Sequence, residues 1–348
     1  MSLRILVIRR DNIGDLVCTT PLLAALRARH PDAHIAALVN SYNAGVLEGN
    51  PDVDAIHSYT KLKHRGEGES WWSVLVHRYR MIVALRRAGF DYVLLGKSTF
   101  DRHGLALARQ VRPRHIVGIP PDAGQRAAGI TDPVAPAAFA QGHEVEAIMK
   151  LGAPLGVDTA PGPARVFASP ARVAEWRGRF PALAQPGAKP WIALHISARH
   201  PRRLWAVERF VELARTLARD GAGIVLAWAP GGSDDPRHPG DDERAAQIAT
   251  GVGPGVPLIP AKTASLGDLI AVLSQCRGFI GADGGAMHIA AGLGLPVVAL
   301  FEDLPDKKRH WHPWHVPHEI VSSGPDDVAG VTVGQVAQAW ARVSSRPE

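Results

Sequence analysis

A chain of 348 residues has room for two cores of ordinary domain size. With 46% hydrophobic and 21% charged residues, and glycine and proline scattered rather than periodic, it is neither collagenous nor disordered. No apolar run approaches the roughly 18 residues that cross a bilayer, and the N-terminal MSLRILVIRRD is cut off by arginines, so a cytosolic protein is expected. The net charge of +6 suits phosphates or an anionic lipid surface; nucleic acid is set aside because zinc-finger spacing, RNP-like aromatics and a basic tail are all lacking.

Apolar β-branched runs alternate with segments of helical period, the pattern of βαβ units and a mostly parallel sheet. The first half predicts strand Arg4–Ile8, helix Leu16–Arg29, strand His34–Val39, helix Trp71–Arg87 and strand Tyr92–Leu95. After the Pro/Gly-rich Gly152–Pro163 a second series follows: helix Pro170–Arg179, strand Trp191–His195, helix Val207–Asp220, strand Gly223–Trp228 and helix Asp242–Thr250. It continues with helix Leu266–Gln275, strand Gly278–Gly281, a helix from Met287, strand Pro296–Phe301 and an amphipathic helix over Val331–Val343. Two tandem Rossmann-like halves are the simplest reading, with a ligand in the crevice between them. Cys18 and Cys276 lie far apart and form no ligand pair, so each is expected as a buried reduced thiol.

Three strand-to-helix segments carry chemistry. In FIGADGGAMHIAAGLGLPVVALF, Gly284 and Gly285 clear the way for an anion to reach the unpaired amides of a helix start, while Asp283 serves equally well as an N-cap. It is neither a Walker A motif nor a dinucleotide fingerprint. In RILVIRRDNIGDLVCTTPLLAAL, Asp11, Asn12, Gly14 and Asp15 follow the first strand; Asp15 and Asp11 are both candidate general bases, and both are candidate caps. In WIALHISARHPRRLW, Arg199, His200, Arg202 and Arg203 are placed to neutralise a diphosphate or to be solvated surface charge. Asp242 and Glu243 open a further helix, as caps or as acceptors for ribose hydroxyls.

In this order the segments resemble the ADP-heptose:lipopolysaccharide heptosyltransferases and their relatives, glycosyltransferase family 9. The resemblance covers nearly the whole chain. RRDNIGDLVCTTPLL is similar to the family's I/L-G-D followed by T-x-P, HISARHPRRLW to its basic residue before a tryptophan, and ADGGAMHIAAGLGLP to its D-S/T-G-x-x-H-x-A-x-x-L-G-x-P. FDYVLL and Gly142–His143–Glu144, where the family often has a histidine opening a helix, add to it.

The resemblance implies the GT-B fold, with an acceptor-binding domain at 1–163, a donor-binding domain at 164–325, and a final helix at 326–348 packing back on the first. It implies inverting transfer of a sugar, expected to be heptose from ADP-heptose, onto lipopolysaccharide core or a related lipid-linked or phosphorylated saccharide, with no cofactor or metal required. Asp15 would be the catalytic base. Arg203 and Arg202 would bind the donor phosphates, Gly284, Gly285 and Ala286 would hold the diphosphate through their amides, and Asp283 would meet the sugar. His288 would support that loop, and Glu243 the ribose. Asp11, Asn12, Lys61, Lys63 and Arg65 are the acceptor-side candidates. Gly284 departs from the family's Ser/Thr, Arg203 from its common lysine, and Leu94–Ser98 lacks an acidic residue usual after that strand.

The alternatives are a GT-B-like nucleotide-sugar 2-epimerase, whose similar turn continues into glutamates rather than Met287–His288, and a non-catalytic nucleotide-sugar-binding protein. Lys61–Arg65 and the arginine-flanked helix after it read as a peripheral contact with the inner face of the cytoplasmic membrane or as a solvated basic face. The cluster His310, His312, His315 and His318 has prolines through it and no Cys or carboxylate, so packing is expected there rather than a metal.

Overall fold

The computed structural model describes residues 2–59, 71–121, 129–136, 141–185, 190–234 and 240–345. The chain divides into two compact units, Met1–Arg165 and Val166–Glu348.

The first unit runs β1 (Arg4–Ile8), α1 (Ile13–Val17), α2 (Thr20–Arg29), β2 (His34–Asn40), β3 (Ala55–Tyr59), α3 (Trp71–Ala88), β4 (Tyr92–Leu95), α4 (Arg102–Val111), β5 (His115–Gly118), β6 (Asp132–Pro133) and α5 (Glu144–Met149). Its six strands are all parallel in the order β3-β2-β1-β4-β5-β6. Ile5, Leu6, Val7 and Ile8 are all buried, as a central strand covered by helices on both faces requires. Where one helix is expected over Leu16–Arg29 there are two. Pro21 lacks the amide an uninterrupted helix would need, and the chain restarts there with proline in the first turn of α2.

The second unit runs α6 (Pro170–Arg179), β7 (Trp191–His195), α7 (Val207–Arg219), β8 (Gly223–Trp228), α8 (Asp242–Val252), β9 (Leu258–Lys262), α9 (Leu266–Leu273), β10 (Gly278–Ala282), α10 (Gly285–Gly292), β11 (Val297–Leu300), α11 (Pro305–Trp311), β12 (His318–Val321) and α12 (Val333–Ser344). Its parallel sheet has the order β12-β11-β10-β7-β8-β9, the same winding as the first. Both are doubly wound, so strand order reverses between β1 and β4 in one unit and between β7 and β10 in the other. Ligands of open α/β sheets sit at the carboxyl ends of such strand pairs.

α12 packs on β11, β12 and α7 of its own unit. The apolar stripe Val333, Val336, Ala339 and Val343 is buried in that core, and the Trp340 ring lies so close to Gly278 that a Cβ there would stand 2.2 Å from it. Trp205, fully buried, ties the same corner by donating from its indole to the Val331 carbonyl at 2.9 Å. An aromatic buried this completely contributes about 1.5–3 kcal/mol.

Candidate functional site

At the first unit's switch point, β1 delivers Arg9 directly from an apolar run to the strand's carboxyl end, where its side chain is 1% exposed. Nη2 stands 2.5 Å from Asp15 Oδ1 and 2.8 Å from Glu144 Oε1, while Nη1 donates to the Gly96 carbonyl just beyond β4. Burial works against the guanidinium's charge, but Asp15, Glu144 and Asp11 outweigh it and hold its pKa above the ordinary value. Asp15 is the third residue of α1, and its other oxygen accepts from the Asn12 amide at 2.9 Å, so one carboxylate both caps the helix and faces the arginine. Asp11 lies 3.7 Å from Arg9 Nε and 4.0 Å from Lys97 Nζ, with its own carbonyl accepting from Asn43 at 3.2 Å. Burial first, and then Glu144 and Asp15, push the Cys18 thiol well above its usual range, which keeps it neutral.

At the second unit's switch point, the chain leaving β7 makes a 3₁₀ turn at Pro201–Arg203, and the chain leaving β10 presents Asp283. Arg203 binds two buried carboxylates, Glu302 Oε1 at 3.1 Å through Nε and Asp283 Oδ2 at 3.2 Å through Nη1. Lys307 of α11 completes the square, 2.8 Å from Asp283 Oδ2 and in contact with Glu302 Oε2. Burial alone would raise the Glu302 carboxyl; the Lys307 hydrogen bond, its own backbone amide and the Arg203 charge bring it down to about 2. Gly284 precedes α10 with an extended φ of 163°, and a Cβ there would meet nothing within 4 Å, so the approach to the first amides of α10 is open. His288 is buried on α10 with its ring edge-on to Trp311, centroids 5.9 Å apart.

The sequence matches the family model of glycosyltransferase family 9 (heptosyltransferase) over residues 78–330, which include the second switch point and Glu144. The chain belongs to glycosyltransferase family 9. It is therefore a glycosyltransferase with the GT-B fold class of two Rossmann-like units. It is 23% identical over 303 residues to lipopolysaccharide heptosyltransferase 3 of Escherichia coli, covering 86% of this chain and 83% of that one. Among solved structures, the family 9 glycosyltransferase of Veillonella parvula DSM 2008 superposes with a TM-score of 0.82 at 18% identity over 99% of this chain and 98% of that one. The E. coli heptosyltransferase WaaC with ADP-2-deoxy-2-fluoro heptose gives 0.74 at 18% identity over 97% and 98%.

Within this family 9 chain, the sequence-derived candidates fall into distinct groups. Asp15, Asp11 and Asn12 gather at the first switch point, and Arg203, Asp283, Gly284, Gly285, Ala286 and His288 at the second. Arg202 is exposed and its guanidinium has no side-chain partner among the described residues, whereas its carbonyl accepts from Val328 at 3.0 Å. Glu243 is exposed on α8 and accepts from the Ser233 amide at 3.3 Å. Its neighbour Asp242 is held by the Trp228 indole and Lys262 Nζ, both at 2.7 Å; these two hydrogen bonds lower its pKa. Lys61, Lys63 and Arg65 lie outside the described residues. Asp283 does not stand with a whole carboxylate free for a sugar, because Oδ2 is taken by Arg203 and Lys307; Oδ1 has no partner among the described residues. The histidines after α11 form a ring stack, with His312 on His318 at 5.3 Å and Trp314 on His315 at 4.6 Å.

Sequence reasoning missed Arg9, Glu302 and Lys307, and assigned Glu144 no role. A signal existed for two of them: Arg9 and Glu302 are the first charged residues after apolar parallel strands, which is where such a sheet delivers side chains to its ligand edge. A groove of about 900 Å³ between α7 and α8, lined by Val207, Val211, Arg215, Gly251 and Val256, shares no residue with either switch point.

Proposed function

We propose that this family 9 enzyme transfers heptose from ADP-heptose to a lipopolysaccharide core or related phosphorylated saccharide, with inversion and without a required metal. The observation that carries the reading is a carboxylate at each switch point held by cations: Asp15 on the buried Arg9, and the buried Asp283 on the partly exposed Arg203 and Lys307. Asp15 takes the proton from an acceptor hydroxyl, which attacks the anomeric carbon as ADP leaves. The leaving diphosphate is received by Arg203, Arg202 and the amides that follow Gly284, while Asp283 Oδ1 accepts from the sugar. Arg203 keeps Nη2 available for this, and arginine substitutes for lysine as a phosphate ligand with a second planar donor. The donor assignment is supported by the relatives, one called a lipopolysaccharide heptosyltransferase and one solved with a fluorinated ADP-heptose.

No described helix is long and apolar enough to cross a membrane. α3 nevertheless exposes Trp72 by 61% and Tyr79 by 70% beside the exposed Arg78 and Arg80, while Met81, Ile82 and Leu85 of the same helix are buried. This supports a peripheral contact with an anionic membrane surface, read by sedimentation with anionic vesicles at low and high salt.

The deciding experiment is a thermal-shift panel of ADP-, GDP- and UDP-sugars, followed by the mass of the product formed on lipopolysaccharide core. Stabilisation by ADP-heptose and a product heavier by one heptose are expected. A response to UDP-sugars alone overturns the donor assignment.

A further inference from the structure

Arg9 is one cation facing three carboxylates: Asp15 at 2.5 Å, Glu144 at 2.8 Å and Asp11 at 3.7 Å. Its Nε is buried without a hydrogen-bond partner, so the guanidinium is placed for Asp15 and Glu144 rather than for its own full satisfaction. Glu144 is buried at the first position of α5, and that helix start is tightly specified: the Val145 amide donates to His143 Nδ1 at 3.1 Å, and the His143 amide to Glu146 Oε2 at 2.8 Å. Arg9 and Glu144 are 135 positions apart and meet because α5 packs on α2 and brings its first residue to the carboxyl end of β1. Buried ion pairs are a poor way to gain stability, since desolvation offsets most of the attraction. A second buried carboxylate on an arginine that already has one calls for another explanation.

We propose that Glu144, acting through Arg9, is a positioning residue for Asp15. An arginine shared with no other group would fix Asp15 but also favour its ionised form and weaken it as a proton acceptor. Glu144 on the same Nη2 divides that charge, so Arg9 is fixed between two carboxylates and holds Asp15 in place without being committed to it alone. Among the described residues, the other charged and titratable groups near Asp15 are Asp11 from its own loop, Cys18 from the end of α1 and Lys97 beyond β4, which reaches Asp11. The inference rests on Asp15 being the base.

The test is a set of kcat and KM profiles against pH for Glu144→Gln, Glu144→Asp and Asp15→Asn, with ADP-heptose and deacylated lipopolysaccharide core as substrates. Glu144→Gln is expected to lower kcat about tenfold, to leave both KM values within about twofold, and to move the acidic limb to lower pH. Glu144→Asp, which keeps the charge, brings the limb back. A Glu144→Gln enzyme that melts earlier but keeps its limb and kcat overturns the proposal. Should that variant not fold, Arg9→Gln/Glu144→Gln removes both charges together; a lowered kcat at unchanged KM supports the inference and wild-type kcat overturns it. Asp15→Asn separates the two levels. Normal turnover there removes the base itself, whereas lost turnover with an unmoved Glu144→Gln limb removes only the role of Glu144.

Discussion

The two units wind their sheets identically and bury charge at the same topological place, yet they compose it differently. At the first switch point a single arginine, wholly enclosed, faces Asp15, Glu144 and Asp11, so carboxylates are in excess. At the second, two cations answer two carboxylates in a closed square of Arg203, Lys307, Asp283 and Glu302, with the exposed Arg202 outside it. The fold repeats the location and leaves the chemistry to the loops. A carboxylate surplus suits taking a proton, whereas a balanced square with donors to spare suits holding a dianion in a fixed place without a large unpaired charge when the site is empty.

Removing a charge should therefore have different consequences in the two units. Asp15→Asn takes one carboxylate from a group that has others, so the fold and ADP affinity are expected to survive while kcat drops about a thousandfold; a turnover assay beside a melting curve reads both. Arg203→Ala leaves two buried carboxylates on Lys307 alone. Loss of transition-state stabilisation of about 2.7–4 kcal/mol is expected together with weaker ADP binding and a lower melting temperature, and Arg203→Lys should recover most of each. Equal stability losses in Asp15→Asn and Arg203→Ala would erase the contrast.

Glu302 sharpens it through pH. Its folded-state pKa of about 2 lies below the ordinary 4.5, so it contributes stability that is fully present above the unfolded value and lost as pH falls through the folded one. Glu302→Gln should cost about 1–2 kcal/mol at neutral pH once solvent screening of the partly exposed Arg203 and Lys307 is allowed for, with the difference from wild type closing between roughly pH 5 and 2 in denaturant titrations. The smallest effect is expected at Gly284. Its φ is extended and a Cβ meets open space, so Gly284→Ser should change stability by no more than about 0.5 kcal/mol, while adding the hydroxyl common in the family and tightening ADP in calorimetry.

Much of this was legible in the sequence because it is local. The apolar runs of β1, β4, β7, β8, β10 and β11 mark central strands buried on both faces, and Gly284–Gly285 before Met287 marks a strand-to-helix turn open to an anion. The edge strands were not legible. β3 (AIHSY) and β9 (LIPAK) pair on one side only, leave Ile56, Pro260 and Lys262 exposed, and so lack the continuous hydrophobicity and burial that identify an inner strand. The position of the last helix was likewise undecided, since its apolar stripe would fit any cover and only the gap over Gly278 selects its own sheet for Trp340.

By itself, then, the sequence determined the two-unit α/β class, the family and the loops that carry chemistry, because hydrophobic period and turn residues act over a few positions. Only the tertiary structure decided who pairs with whom inside those loops. Arg9 meets Glu144 because α5 packs on α2, the second helix after β1, and Asp283 meets Lys307 because β10 and β11 lie side by side. The physical reason is that charge pairing depends on distance in space and on burial, and neither is written in the spacing of residues along the chain.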